Sequence, residues 1–144
     1  MPQLAEAAVI LHCGDLCSPF MTKRLIAGVR GKPVHIVWGN NDGDRLLHQT
    51  VAAGAPNIRF EGEFADLNLD GLKVAVTHYP AIARPLAESG KYDLVCYGHD
   101  HKAYEEKIGP TILLNPGELH GLFGRSTYAL FVTGTKKVKL VEVG

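Results

Sequence analysis

Short apolar runs, each closed by glycine or a polar cluster, punctuate this chain. Residues 8–12 run into Cys13-Gly14-Asp15, and residues 34–38 run into Gly39-Asn40-Asn41-Asp42. Residues 74–77 stop at His78, and residues 94–97 stop at Gly98-His99-Asp100-His101. Apolar, β-branched and aromatic residues over so few positions read as buried strands. Each of the four delivers an oxygen or nitrogen donor just past its C-terminal end, where ligands bind in open α/β sheets.

Between these runs the apolar spacing changes to that of helices. Ser18-Pro19 opens the first, with serine as cap and proline at the first helical position. Phe20, Leu25, Ile26 and Val29 form its apolar stripe, and Gly31 and Pro33 stop it. Residues 42–44 lead into a second helix with Leu46, Leu47 and Val51 on the buried side, ended by residues 54–56. A short strand follows at 58–60, and 64–69 and 72–77 form an antiparallel hairpin about Asp70-Gly71. Residues 80–88 make a modest helix despite Pro85. Further strands fall at 103–108, 111–114, 128–132 and 138–143, and residues 2–7 read as the tail of a helix. Strands alternate with helices early and form hairpins late, so the expected architecture is α/β: two packed sheets with helices outside.

Composition narrows the function. The chain has 144 residues, one domain's worth, and 46% are apolar, enough for a core without staples. Fifteen basic residues balance fifteen acidic ones and none cluster in a run, which argues against stable nucleic-acid binding. Cys13, Cys17 and Cys96 have no paired spacing and suggest a reducing, cytoplasmic setting; zinc on Cys13 and Cys17 is a poor fit. No segment is long and apolar enough to span a membrane, and no signal peptide is visible.

The polar residues at the strand ends then carry the chemistry. Singly, each has an ordinary explanation. Asp15 could be a turn residue, although Ser18 is the better helix cap, and residues 40–42 could be a turn before Gly43. His78, His12 and His35 could be hydrogen-bonded core residues, and His48 falls on the surface of the second helix. His120, in the glycine-rich loop 117–124, could face the site, but nothing requires it. Jointly, one carboxylate, one or two amides and three imidazoles gathered at one sheet edge point to metal coordination.

The ordered set Gly14-Asp15, Gly39-Asn40-Asn41-Asp42, Thr77-His78 and Gly98-His99-Asp100-His101 resembles the calcineurin-like metallophosphoesterases, above all their small bacterial and archaeal phosphodiesterases. Asn115-Pro116-Gly117 and Gly124-Arg125-Ser126 before a strand are similar to that branch too. The likeness runs from about Val9 to the C-terminus. It implies one domain over 1–144: two packed mixed β-sheets flanked by helices, a four-layer αββα sandwich. It also implies two divalent ions, with Asp15 bridging them, Asn40, His78 and His99 completing one shell and His101 belonging to the other. Asn41 and Asp42 are the implied catalytic positions. Mixed His, Asn and Asp donors suit manganese first, then iron, zinc or nickel.

Three departures qualify the likeness. The family's first strand carries Asp-x-His, and this chain shows no such motif. The expectation is therefore a missing first strand, one competent metal position, and self-association across an open sheet edge. Asn41 stands where many members carry a histidine, so it can donate a hydrogen bond but cannot titrate. Tyr79-Pro80 follows His78 where Gly-His is common. The expected function is metal-dependent hydrolysis of a small phosphodiester. The alternatives are a catalytically weak scaffold acting through protein contacts and a plain one-metal binding protein.

Overall fold

A computed structural model describes residues 6–144, so most of the helix tail expected over 2–7 lies outside the described residues; residues 6 and 7 are not helical. Two βαβ units open the chain. β1 (Ile10–His12), α1 (Pro19–Val29), β2 (Val34–Ile36), α2 (Arg45–Ala52) and β3 (Ile58–Phe60) form a parallel sheet in the order β1-β2-β3. The second sheet is mixed. β4 (Phe64–Leu69) and β5 (Leu72–Thr77) are the expected hairpin, and α3 (Pro80–Glu88) returns the chain to β6 (Leu94–Cys96), parallel to β5. β7 (Tyr104–Ile108) and β8 (Thr111–Asn115) complete it in the order β4-β5-β6-β8-β7. β9 (Thr127–Val132) and β10 (Lys137–Glu142) form an antiparallel ribbon.

The layers follow from which faces are apolar. Leu11 of β1 packs on the same core as Ala65, Val74, Val76, Leu94, Cys96, Ile112 and Leu114 of the five-stranded sheet. Ala129 and Phe131 of β9 and Val138 of β10 pack there too. The three-stranded sheet and the ribbon thus share one layer opposite the five-stranded sheet. Among the described residues β1 pairs with β2 alone, leaving its other edge unpaired. On the far side of β1–β3, residues of α1 and α2 close a second core around Val34, Ile36 and Ile58. α3 covers the outer face of the five-stranded sheet through Ala83 and Ala87, against Ala75, Val95 and Leu113. The result is the αββα sandwich expected, with the β1-containing layer divided in two.

Ser18 caps α1 as expected, accepting from the Phe20 amide, and Pro19 is its first residue. The stripe is shorter than the spacing suggested. Phe20 is 73% exposed, and Thr22 takes the inward position one turn earlier than Leu25 and Ile26. α2 is turned from its expected face: Leu46 is 75% exposed and Leu47 is also exposed, while His48 and Ala52 are buried. His48, expected on the surface, is 0% exposed; its Nδ1 lies 2.6 Å from Thr22 Oγ1, and its ring meets Trp38 and Phe60 edge-on. Trp38 and Phe60 stack at 4.4 Å, and the imidazole fills the space beside them while giving the Thr22 hydroxyl a partner.

Leu113 is fully enclosed between β6, β8 and α3. Replacing it with alanine is expected to destabilise the protein by about 2–5 kcal/mol, through lost burial and the cavity left behind. Leu46→Ala, on the exposed face of α2, is expected to stay within about 0.5 kcal/mol of the parent. Urea midpoints measured at constant m-value check both.

Candidate metal centre

Four parallel strands aim their C-terminal ends at one edge of the sandwich. The loop after β1 carries Asp15, that after β2 carries Asn40 and Asn41, that after β5 carries His78, and that after β6 carries His99 and His101. The loops crowd closely, and Gly14 shows how closely. A Cβ there would lie 2.6 Å from His78 Nδ1 and 2.9 Å from the Gly39 amide, and its φ of +95° suits glycine alone.

The sequence-predicted donors Asp15, Asn40, His78 and His99 meet at the ends of β1, β2, β5 and β6. His78 Nε2 lies 2.9 Å from Asn40 Oδ1, His99 Nδ1 lies 3.0 Å from the same oxygen, and the two imidazole nitrogens are 3.2 Å apart. Asp15 Oδ2 is 3.5 Å from His78 Nε2. His78 Nδ1 sits 2.7 Å from the carbonyl oxygen of Cys13, which can only accept, so Nδ1 carries the proton and Nε2 presents a lone pair. The His78 nitrogen therefore presents its lone pair beside the Asn40 amide oxygen, with a carboxylate oxygen of Asp15 3.5 Å away. Donors bound at about 2.1 Å to one ion lie roughly 3.0 Å apart when adjacent, close to the separations here. The residues present fit a divalent cation.

The surrounding groups hold this arrangement. Asn41 grips Asp15 twice: its backbone amide donates to Oδ1 at 2.8 Å and its side-chain amide to Oδ2 at 2.9 Å. Asp42 is buried and turned inward, outside the pocket lining. Its Oδ2 accepts the backbone amides of Asp15 (3.0 Å) and Gly39 (2.7 Å), and its Oδ1 accepts that of Cys17 (2.8 Å). One carboxylate thus ties the loops after β1 and β2 together. Asp15, His99 and His101 all adopt left-handed backbone, with φ of 58°, 75° and 59°. Non-glycine residues in that region cost about 1–3 kcal/mol each and tend to cluster at functional sites.

Other candidates fall elsewhere. Cys13 is buried and burial pushes its thiol up to about 12, so it offers no thiolate at neutral pH; Cys17 Sγ points to the Asp15 carbonyl. His12 is held below the ordinary imidazole value by burial and accepts the Gly14 amide. His35 pairs with Glu61 at 2.6 Å, away from the pocket.

The pocket has a volume of about 500 Å³, a size suited to a small ligand. Asp15, Asn40, Asn41 and His99 line one part, and His101, Lys102 and Phe123 another. His101 is separated from the first group: its Nδ1 lies 2.9 Å from Glu118 Oε2. Glu118 was not apparent in the sequence, since a single acid in a glycine-rich loop has no periodic context. Only its spacing to His120, acid-x-imidazole, could have drawn notice. Burial alone would raise its carboxyl. Hydrogen bonds from His101 and the Phe123 amide, with the charges of His120 and His101, hold it below the ordinary carboxylate value instead.

Comparison with known proteins places this geometry in context. The model of the calcineurin-like phosphoesterase superfamily domain matches residues 1–136. The chain is similar to phosphodiesterase MJ0936 of Methanocaldococcus jannaschii, 30% identical over 135 residues that cover 90% of this chain and 79% of the relative. The structure of a novel archaeal phosphodiesterase superposes with a TM-score of 0.87 at 27% identity, covering 96% of this chain and 84% of that one. A single-mutant Vps29 from Entamoeba histolytica superposes with a TM-score of 0.67 at 18% identity, over 99% of this chain and 87% of that one, a likeness of fold alone.

Asp42→Asn tests the tie between the first two loops. It removes the charge and turns an amide donor toward backbone donors, at an expected cost of about 2–3 kcal/mol. The denaturation midpoint should fall accordingly; an unchanged midpoint would show that the loops hold their places without it.

Proposed function

The chain belongs to the calcineurin-like phosphoesterase superfamily, and on that premise we propose that it hydrolyses a small phosphodiester in a metal-dependent reaction at the pocket above. The observation that carries this reading is the approach of His78 Nε2 and His99 Nδ1 to each other and to Asn40 Oδ1 at 2.9–3.2 Å, with Asp15 Oδ2 3.5 Å from His78 Nε2. Divalent ions held there, manganese in our reading, would supply an activated water and offset charge on the phosphoryl oxygens.

The chain's own residues divide the remaining work. Cys13, through its carbonyl, fixes the His78 tautomer. Asn41 fixes both carboxylate oxygens of Asp15 and leaves its side chain on the pocket wall, where it can also donate to a substrate oxygen. Lys102 adds a cationic group to the same wall, suited to drawing in an anionic ester, and Phe123 provides an apolar flank for a leaving group. Asp42 acts as a positioning residue through the loop amides rather than on the substrate.

Among the described residues no helix is long and apolar enough to cross a membrane. Three free cysteines support a reducing, cytoplasmic setting. The edge of β1 that has no strand partner among the described residues supports self-association, and residues 1–144 act in this reading as one domain.

Manganese-loaded protein is expected to release nitrophenolate from bis(4-nitrophenyl) phosphate, and EDTA to abolish the reaction. Asn41→Ala should lower metal affinity or turnover by about 10–100-fold, as loss of an orienting partner does, and His99→Ala should lower it further. Tight metal binding without turnover would favour the scaffold alternative. Light scattering on a sizing column should give twice the monomer mass; a monomer at all concentrations would remove self-association from this reading.

A further inference from the structure

A second cluster of donors lies beside the first and takes its members from different elements. Glu118 and His120 stand in the loop between β8 and β9, and His101 stands in the loop after β6. Glu118 is 7% exposed. Its Oε1 accepts the Phe123 amide at 2.6 Å, which fixes the carboxylate and aims Oε2 at two imidazoles. His101 Nδ1 lies 2.9 Å and His120 Nε2 3.2 Å from that oxygen, and all three donor atoms fall within 4.8 Å of one another.

The loop that carries Glu118 is well anchored. Asn115, fully buried at the end of β8, donates from its side chain to the Gly98 carbonyl and the Asp100 carboxylate, and accepts the Gly117 amide. Thr127 holds the other side: its amide donates to the Glu118 carbonyl and its hydroxyl to that of Pro116. The His101 and Glu118 loops are thus tied to each other independently of the Glu118 carboxylate. The carboxylate and the two imidazoles are brought together by the backbone and need not attract one another to meet.

We infer that His101, Glu118 and His120 form a metal site of their own, taking a divalent transition ion of the zinc, iron(II) or manganese class. Two imidazoles and one carboxylate are a recurrent donor set for such ions, and three protein donors leave further positions to water or substrate. His120 is exposed, so the cluster opens to solvent on one side. His101 also lines the main pocket, so an ion here lies at the wall of that pocket. The inference rests on this cluster's own geometry. It goes beyond the proposed hydrolytic site and does not need that site to be loaded.

Zinc content after gel filtration, measured by elemental analysis, tests it with the ion itself as probe. In an Asn40→Ala/His99→Ala background, which removes two donors of the first group, about one zinc per chain should remain. Adding His120→Ala, an exposed change not expected to disturb the fold, should remove it, and Glu118→Gln should do the same. Cobalt(II) in the same background should give visible absorption bands that vanish with His120→Ala. Circular dichroism verifies that each variant is folded. A zinc content unchanged by His120→Ala, or no zinc in the background protein, overturns the site and leaves Glu118 as an ion-pair partner of the two histidines. Loss of zinc with His120→Ala but not with Asn40→Ala/His99→Ala would uphold this site and count against the first.

Discussion

Lone pairs set about 3 Å apart repel unless a proton or cation lies between them. His78 Nε2 and Asn40 Oδ1 are arranged in that way, with His99 Nδ1 3.0 Å from the same oxygen and Asp15 Oδ2 3.5 Å from Nε2. The rest of the upper edge of the sandwich can be read as the structure needed to hold them there. The parallel registers of β1 with β2 and of β5 with β6 bring the four strand ends together. The Cys13 carbonyl then selects the His78 tautomer, and Asp42 pins the first two loops through backbone amides. Asn41 fixes the carboxylate that faces the imidazoles. Left-handed backbone at Asp15, His99 and His101 adds to the cost of holding these groups in place, which the packed sheets beneath must offset.

The fold was legible because its signals are local and agree with one another. Apolar runs ended by glycine gave the strands, Ser18-Pro19 gave the start of α1, and Asp70-Gly71 gave the hairpin. The donors Asp15, Asn40, His78 and His99 were legible for a different reason: a polar residue directly after a buried strand has few places to go except the sheet edge. The orientation of α2 was not legible. Leu46-Leu47 and His48 compete for one face, and hydrophobicity alone favours the leucines. The pocket above β2 and β3 is lined by the Trp38 and Phe60 rings and faces the Thr22 hydroxyl. The imidazole presents a flat ring to the aromatics and Nδ1 to the hydroxyl, at the cost of leaving its Nε2 buried without a hydrogen-bond partner, and a leucine would leave the hydroxyl without its partner.

Glu118 shows the limit of the same method. Nothing in its loop is periodic, and its importance depends on a contact with His101 across 17 residues and a sheet crossing. The tie that makes the contact, Asn115 bridging to Gly98 and Asp100, involves a residue whose Asn-Pro-Gly context reads only as a turn. A buried carboxylate with a depressed protonation range is expensive unless something positive faces it. Here the candidates are two imidazoles or a metal ion between them.

This bears on the expectation of a single competent metal position. That expectation rested on the absence of the Asp-x-His strand, which would leave His101 with little help from other donors. The fold places a second carboxylate beside His101 from the opposite side, on a loop tied to the His101 loop through Asn115. His101 then has an anionic partner without any contribution from the β1 side. The charge balance of the edge changes accordingly: Asp15 serves the Asn40–His78–His99 group, Glu118 serves the His101–His120 group, and the pocket wall between them carries Lys102 and Asn41. Separate carboxylates allow the two groups to bind cations independently, with affinities set by their own donors rather than by one shared bridge. In such an arrangement the order in which the two positions fill depends on the metal offered.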